Sequence, residues 1–222
     1  MQGNYAQEKL DVRRDLGLSG KAPILVAGSI HPEEGGAILD GYEQLLSSYP
    51  TLQLILAPRH PNRVDRLLGD LRNRNIEFHL RTDSRQKTLG HSEKPRVLVL
   101  NTLGELSKAY CASNVAFVGG SLFPWGGQNP LEPAGFGIPV LFGRHMHNFE
   151  EAERALSEPN TIRIPAALRI GGPLEDAGKQ LAAATSHILD SPARATAMGV
   201  QGRTVVETRA GAARRYAEWV TD

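Results

Sequence analysis

The sequence has few cysteines, almost no net charge and no long apolar run. Cys111 is the one cysteine among 222 residues, which excludes an internal disulfide framework and a zinc site built from several cysteines, and suits a reducing compartment. The 25 basic and 24 acidic residues leave a net charge of +1, which argues against a protein that binds nucleic acid through its phosphates. No segment approaches the roughly 18 apolar residues that cross a bilayer, and the first residues do not resemble a signal peptide. We therefore expect this chain to be soluble.

Short apolar runs alternate along the chain with amphipathic stretches. Strands are predicted at 23–27, 52–57, 76–80, 96–100, 115–118 and 139–142, with a weak last one at 161–164. Helices are predicted at 37–46, 64–71, 103–110, 149–156, 174–189 and 193–220, after a leading helix over 1–18 packed on the sheet edge. Apolar strands alternating with helices are typical of a parallel sheet covered on both faces. The sequence thus predicts one three-layer, Rossmann-like α/β domain over 1–222 with about six parallel strands.

In such folds ligands bind beyond the carboxyl ends of the strands, so the residues after each strand are the candidates. After the first strand, Ser29 and His31 lie in a donor-rich turn before a helix, which suits an anionic group. An ordinary turn, in which Ser29 or His31 caps the helix, is the alternative. No G-x-G-x-x-G is present, so the usual dinucleotide fingerprint is missing.

Two further strands are followed by polar loops. Prolines stiffen the loop of Arg59 and His60, and a guanidinium beside an imidazole suits a phosphate or a carboxylate. Arg59 is favoured as a ligand-binding residue, His60 is left open, and the neighbouring Arg63 is assigned to the surface. After the fourth strand, Thr102 and Glu105 have capping-box spacing. The N–H groups of that turn remain available to a ligand.

The stretch 119–134 is the most unusual of the chain. Two glycine pairs, 119–120 and 126–127, flank a loop that contains Phe123 and Trp125, and Asn129 precedes Pro130 as an N-cap before a first-turn proline. A glycine-rich loop that leads into a helix forms a nest for a phosphate, and the Glu132 carboxylate can hold two ribose hydroxyls. The alternative is that Glu132 only completes a capping box with Asn129.

The stretch after the sixth strand carries two histidines. His145 and His147 have no third ligand nearby, so no metal is predicted. A loop that places Asn148 as the N-cap of the next helix is the better interpretation. Cys111, on a predicted helix, is expected to serve packing.

Several ordered motifs resemble one family of enzymes. They are GGSL at 119–122, GGQNPLEPA at 126–134, PVLFG at 139–143, HM at 145–146 and NF at 148–149, preceded by APRHP at 57–61 and TLGEL at 102–106. This set resembles the carboxyl-terminal, donor-binding domain of the 3-deoxy-D-manno-octulosonic acid (Kdo) transferases. These are GT-B glycosyltransferases of lipopolysaccharide assembly.

The resemblance implies transfer of Kdo from CMP-Kdo to a lipid A precursor with inversion. No cofactor is expected. The resemblance also implies an amino-terminal acceptor domain that carries the catalytic carboxylate and often a membrane anchor, on the cytoplasmic face of the inner membrane. No catalytic residue is then expected in this chain, which would be inactive by itself and would bind no nucleic acid. The expected donor-binding residues are Ser29, His31, Arg59, His60, Thr102, Gly104, Glu105, Gly119, Gly120, Ser121, Gly126, Gly127, Asn129 and Glu132.

Two other functions remain open from the sequence. One is a GT-B transferase that uses a UDP-sugar, and the other is a nucleotide-binding module without catalysis. Preference for CMP over UMP and UDP would distinguish a Kdo transferase from a transferase that uses a UDP-sugar. An amino-terminal acceptor domain encoded upstream of this chain would distinguish an enzyme from a nucleotide-binding module without catalysis.

Overall fold

The structure is a computed structural model that describes the backbone of residues 2–84, 96–158 and 165–221, and side chains over 6–83, 97–158 and 165–210. The strands are β1 Ile24–Ile30, β2 Gln53–Pro58, β3 Phe78–Leu80, β4 Arg96–Val99, β5 Val115–Val118, β6 Val140–Phe142 and β7 Ala167–Arg169. The helices are α1 Gln2–Asp15, α2 Gly35–Leu46, α3 Asp65–Asn73, α4 Arg81–Ser84, α5 Leu106–Ala112, α6 Leu131–Gly135, α7 Glu150–Ser157, α8 Ala177–Leu189 and α9 Pro192–Thr221. A 3-10 turn, Leu174–Asp176, precedes α8.

All strand pairs of the seven-stranded sheet are parallel, in the order β3-β4-β2-β1-β5-β6-β7. The register aligns Val26 of β1 with Ile55 of β2 on one side and with Ala116 of β5 on the other. After β1 the chain builds one half of the sheet, and from β5 onward it builds the other. The strand order therefore reverses between β1 and β5, which is the place where doubly wound folds bind ligands.

The sheet is buried on both faces because successive side chains of a strand point to opposite sides. In β1, Leu25 packs with α2, α3 and α8, whereas Val26 packs with Leu16 and with α5 on the other face. Both layers are apolar, so the continuous apolar strands have the structure that their sequence predicts. The three-layer parallel α/β prediction is confirmed.

Four details differ from the sequence prediction. The expected strand at 161–164 falls outside the described residues, and the seventh strand lies at Ala167–Arg169, a tripeptide with no β-branched residue to mark it. Helix α5 begins at Leu106 and not at 103, because Gly104 has a φ of +77° that no helix continues. The third strand is shorter than predicted and begins at Phe78.

The fourth difference concerns the leading helix. Helix α1 packs against α5 over one face of the sheet, not on its edge. The guanidinium of Arg13, which is 4% exposed, fixes this position by donating to the carbonyls of Ala112 and Ala22 and to the Asn114 side chain. A sequence pattern does not identify such distant partners.

Candidate functional site

The loops after β1 and β5 meet at the point where the strand order reverses. The Gly119 N–H donates to the Gly28 carbonyl at 2.8 Å, and a Cβ on Gly119 would lie 2.6 Å from the Ser29 carbonyl oxygen. Only glycine permits that approach. Ser29 itself has a φ of +53° at a bulge of β1, which turns the following His31 toward the loop after β2. The fold therefore brings two of the candidate loops together here.

A buried glutamate outside the predicted site joins these two loops. Glu34 is fully buried, and its carboxylate accepts hydrogen bonds from the N–H groups of Gly120 at 2.7 Å and Ser121 at 3.0 Å. It also accepts from the N–H groups of Leu122 and His31, at 3.1 and 2.9 Å. Four N–H donors replace the water that a buried carboxylate loses. No sequence signal marked Glu34, which stands beside the exposed Glu33 as half of an ordinary acidic pair.

The bonds to Glu34 differ from the expected role of the first glycine pair, which is to bind a phosphate. The N–H groups of Gly120 and Ser121 donate to Glu34 and are not directed at a phosphate. The Ser121 side chain is likewise engaged, because its Oγ donates to the Val118 carbonyl at 2.5 Å and accepts from the Gly143 N–H at 2.8 Å. Ser121 is 0% exposed and links the end of β5 to the residue that follows β6. Three successive N–H groups of this loop thus converge on a carboxylate of the protein itself.

The second glycine pair forms a tight turn beside the first. Gly126 and Gly127 have φ values of +88° and +76°, and the Gly127 N–H donates to the Gly120 carbonyl at 2.8 Å. Asn148 fixes the turn: its N–H donates to the Gly126 carbonyl at 3.0 Å and its Nδ2 donates to the Trp125 carbonyl at 3.1 Å. The prediction that Asn148 caps α7 is wrong, because Phe149 occupies the N-cap position and the Asn148 side chain serves the loop.

Asn129 and Glu132 lie at the start of α6. The Asn129 Oδ1 accepts from the Leu131 N–H at 3.1 Å, but the predicted Asn129 cap is wrong: α6 spans Leu131–Gly135, and Pro130 occupies its N-cap position without a side-chain cap. The Glu132 Oε1 accepts from the Ser107 hydroxyl at 2.5 Å. Within the described residues no hydrogen bond joins Glu132 to Asn129, so the capping-box alternative for Glu132 is not realised. The carboxylate instead faces α5.

Tyr110 lies between this carboxylate and strand β1. Burial, followed by the negative charge of Glu132, raises the pKa of the Tyr110 phenol. The phenol oxygen lies so near Gly28 that a Cβ there would be 2.1 Å away, so glycine is required at that position. A neutral Tyr110 therefore forms the floor between Glu132 and β1.

The loop after β4 has a structural role for its acidic residue. Glu105 is 5% exposed and pairs with the buried Arg81, whose Nε and Nη2 lie 3.0 and 2.9 Å from Oε1. Arg81 also contacts the Asp15 carboxylate at 2.8 Å. The predicted capping box is wrong: Glu105 is at the N-cap position without a side-chain cap, and the Thr102 hydroxyl donates to its carboxylate. Gly104 is exposed on the same loop, with nothing within 4 Å of a Cβ.

A cavity of about 280 Å³ opens beside these loops. The His31 ring stacks on the Trp125 ring with centroids 4.2 Å apart and planes at 17°, and the His60 ring meets His31 edge-on at 6.4 Å. Other residues that line the cavity are Ile30, Pro32, Glu33, Pro58, Arg63 and Leu67.

The two arginines after β2 differ in their relation to the cavity. Arg63 is exposed, as the sequence predicts, and also lines the cavity together with His60. Arg59 is exposed, does not line it, and donates its backbone N–H to the Ile30 carbonyl at 2.8 Å. Trp125 also lines the cavity, and its position between two glycine pairs is the sequence signal that marks it.

Two further properties bear on function. Across 2–84, 96–158 and 165–221, no three histidine, cysteine, aspartate or glutamate residues form a group suited to a metal ion. The described helices include none with the length and apolar character to cross a membrane. Cys111 is buried on α5, as expected for a packing residue.

The comparisons with known proteins agree with the motifs. The 3-deoxy-D-manno-octulosonic acid transferase of Haemophilus influenzae is 34% identical over 207 residues, which are 93% of this chain and 45% of that protein. The enzyme of the same name from Bordetella pertussis is 32% identical over 93% of this chain and 46% of its own length. The chain thus spans about half the length of these transferases. No protein-family model matches it.

A solved structure also matches nearly the whole chain. The C-terminal CMP-Kdo binding domain of WaaA from Acinetobacter baumannii superposes with a TM-score of 0.75 and 27% identity, covering 92% of this chain and 98% of that domain. The all-parallel sheet and its helical layers are therefore those of a GT-B carboxyl-terminal domain. By sequence and by fold, this chain belongs to the 3-deoxy-D-manno-octulosonic acid transferase family.

Proposed function

We propose that this chain is the donor-binding half of an inverting glycosyltransferase that moves Kdo from CMP-Kdo to a lipid A precursor in lipopolysaccharide synthesis. The observation that carries the proposal is the match over nearly the whole chain to a domain described as binding CMP-Kdo. The assignment of Kdo as the transferred sugar is supported by the relatives, which are named as Kdo transferases. The acceptor, and a position at the cytoplasmic face of the inner membrane, belong to the proposal for the full-length enzyme.

In this proposal Glu132 binds the ribose of the donor. Its carboxylate lies beyond the carboxyl end of β5, with Ser107 on one oxygen, and a carboxylate accepts strong charge-assisted bonds from hydroxyls. The turn at 126–129 and the exposed Arg59 remain candidates for the phosphate, since Glu34 occupies the Gly120 and Ser121 N–H groups.

The reaction breaks the bond between the anomeric carbon of Kdo and the phosphate oxygen, and forms a bond from that carbon to an acceptor hydroxyl oxygen. The phosphate leaves as CMP, whose charge this domain stabilises by pre-positioned donors. The hydroxyl proton passes to a carboxylate in the amino-terminal acceptor domain. The isolated chain is therefore expected to show no transfer of Kdo to a lipid A precursor, and turnover by the purified chain would contradict this division of roles.

Calorimetric titration of the chain with CMP, UMP and UDP tests the proposal. We expect CMP to bind, and UMP and UDP to bind at least tenfold more weakly. Deoxycytidine monophosphate is the control for the ribose contact and should also bind more weakly. Equal or tighter binding of UDP would favour a transferase that uses a UDP-sugar, and binding of none of the nucleotides would contradict the proposal.

A further inference from the structure

The cavity beside Trp125 is built from three loops that are far apart in the sequence. Ile30 and His31 come from the end of β1 and its loop, Pro58 and His60 from the end of β2 and its loop, and Trp125 from the loop after β5. Its volume of about 280 Å³ lies just below that of small-molecule sites, which range over about 300–1,000 Å³. The cavity therefore suits one sugar unit and is too small for a complete sugar nucleotide.

The aromatic wall of this cavity is held in place on several sides. Asn148 bonds the Trp125 carbonyl at 3.1 Å, and the Trp125 N–H donates to the Phe123 carbonyl at 2.7 Å. The indole ring contacts two other rings: it stacks on the His31 ring at 4.2 Å and is tilted against the Phe123 ring at 5.2 Å. A pre-positioned aromatic ring offers a flat apolar surface at little entropic cost on binding.

The polar wall carries a cation suited to a carboxylate. Arg63 lines the cavity, and in the part of the chain that the structure describes its guanidinium makes no ion pair with a protein carboxylate. A guanidinium binds a carboxylate through two parallel hydrogen bonds. Glu33 is the one acidic residue that lines the cavity. Its carboxylate can accept hydrogen bonds from hydroxyls of a ligand, and it would repel any ligand carboxylate beyond the one that Arg63 binds. A ligand with a single carboxylate and several hydroxyls fits both groups.

Glu132 does not line this cavity, and neither does Ser107. The polar groups expected to hold the nucleotide thus lie apart from the aromatic and basic walls. We propose that this cavity binds the acidic sugar of the donor, with Arg63 on the sugar carboxylate and Trp125 against the sugar ring. The inference rests on the proposed function and assigns a specificity-determining role to two residues outside the predicted site.

The test compares the affinities of CMP-Kdo and CMP for the same set of variants. In the parent chain CMP-Kdo should bind more tightly than CMP, because only the sugar nucleotide fills the cavity. Arg63→Gln should weaken CMP-Kdo binding about ten- to a hundredfold and leave CMP binding unchanged. Arg63→Lys keeps the charge but not the two parallel bonds and should give an intermediate loss. Arg66→Gln is the matched control, since Arg66 is exposed on α3 and does not line the cavity.

A second measurement follows Trp125 directly. The sequence has two tryptophans, so Trp219→Phe leaves Trp125 as the fluorescent reporter. Its emission should change on addition of CMP-Kdo and stay constant with CMP. Two results would contradict the proposal: an equal effect of Arg63→Gln on the affinities for CMP-Kdo and CMP, or an equal response of Trp125 emission to both ligands. Either result would show that the cavity does not bind the sugar, although the chain still binds its donor. A parent chain that binds neither ligand would contradict the donor-binding function itself.

Discussion

The Glu34 carboxylate accepts a hydrogen bond of 2.7 Å from the N–H of Gly120, a residue 86 positions further along the chain. With its bonds to Ser121 and Leu122, it fastens the loop after β5 to the start of α2. The glycine nest at the reversal point is thus filled from within. A residue with this role positions both candidate loops without having to touch a ligand.

We expect Glu34→Gln to lower the free energy of unfolding by about 3 kcal/mol or more. The substitution removes charge-assisted bonds, each of which contributes about 1.5–3 kcal/mol, and it points an amide N–H₂ at backbone donors. Urea denaturation measures the effect. Glu33→Gln is the control, because Glu33 is exposed and its loss should change stability by less than about 0.5 kcal/mol. Equal small effects would show that the carboxylate does not hold the loops.

Glu132→Gln should weaken CMP binding by one to two decades at an unchanged melting temperature. Loss of the charge from bonds to two ribose hydroxyls costs about 1.5–3 kcal/mol of binding free energy. Calorimetry measures the affinity and thermal unfolding the stability, with Glu207→Gln on the exposed surface of α9 as the control. The variant should also lose the preference for CMP over deoxycytidine monophosphate. Retention of both affinity and preference would assign Glu132 a structural role only.

Arg81→Met should destabilise the fold by about 3–5 kcal/mol, because it leaves the buried Glu105 carboxylate without its cation. Chemical denaturation measures this loss. The double variant Arg81→Met with Glu105→Gln removes both charges and should recover part of it. Additive losses in the double variant would mean that the two residues do not stabilise each other.

Lys9→Met should reduce the pH dependence of stability in mild alkali. Burial, followed by the positive charge of Arg13, lowers the pKa of Lys9 to about 8, against 10.5 for an ordinary lysine. Between these values the unfolded chain binds more protons than the folded one, so the contribution of Lys9 makes the parent more stable as the pH rises. The gain in unfolding free energy from pH 7.5 to 9.5 should therefore be smaller in the variant. An identical gain in both proteins would show that Lys9 is not the group responsible.

The sequence by itself determined the layers of this protein and most of the motifs at its site. Apolar runs such as that of β1 are buried on both faces, and a chain with such strands and intervening helices has few alternatives to a covered parallel sheet. The bond from the Leu131 N–H to the Asn129 side chain is likewise local, because it joins residues two positions apart. The motifs around the glycine pairs identified the family, as the 34% identity to the Haemophilus enzyme confirms.

Only the tertiary structure decided which groups each side chain meets. Glu105 has capping-box spacing but pairs with Arg81, 24 residues earlier, because a buried guanidinium stabilises a carboxylate more than a local cap does. Arg63 and Trp125 line the same cavity because the strand order places the loops after β2 and β5 on either side of β1. Local patterns depend on residues a few positions apart, whereas these partners are set by strand order and burial, which follow from the fold as a whole.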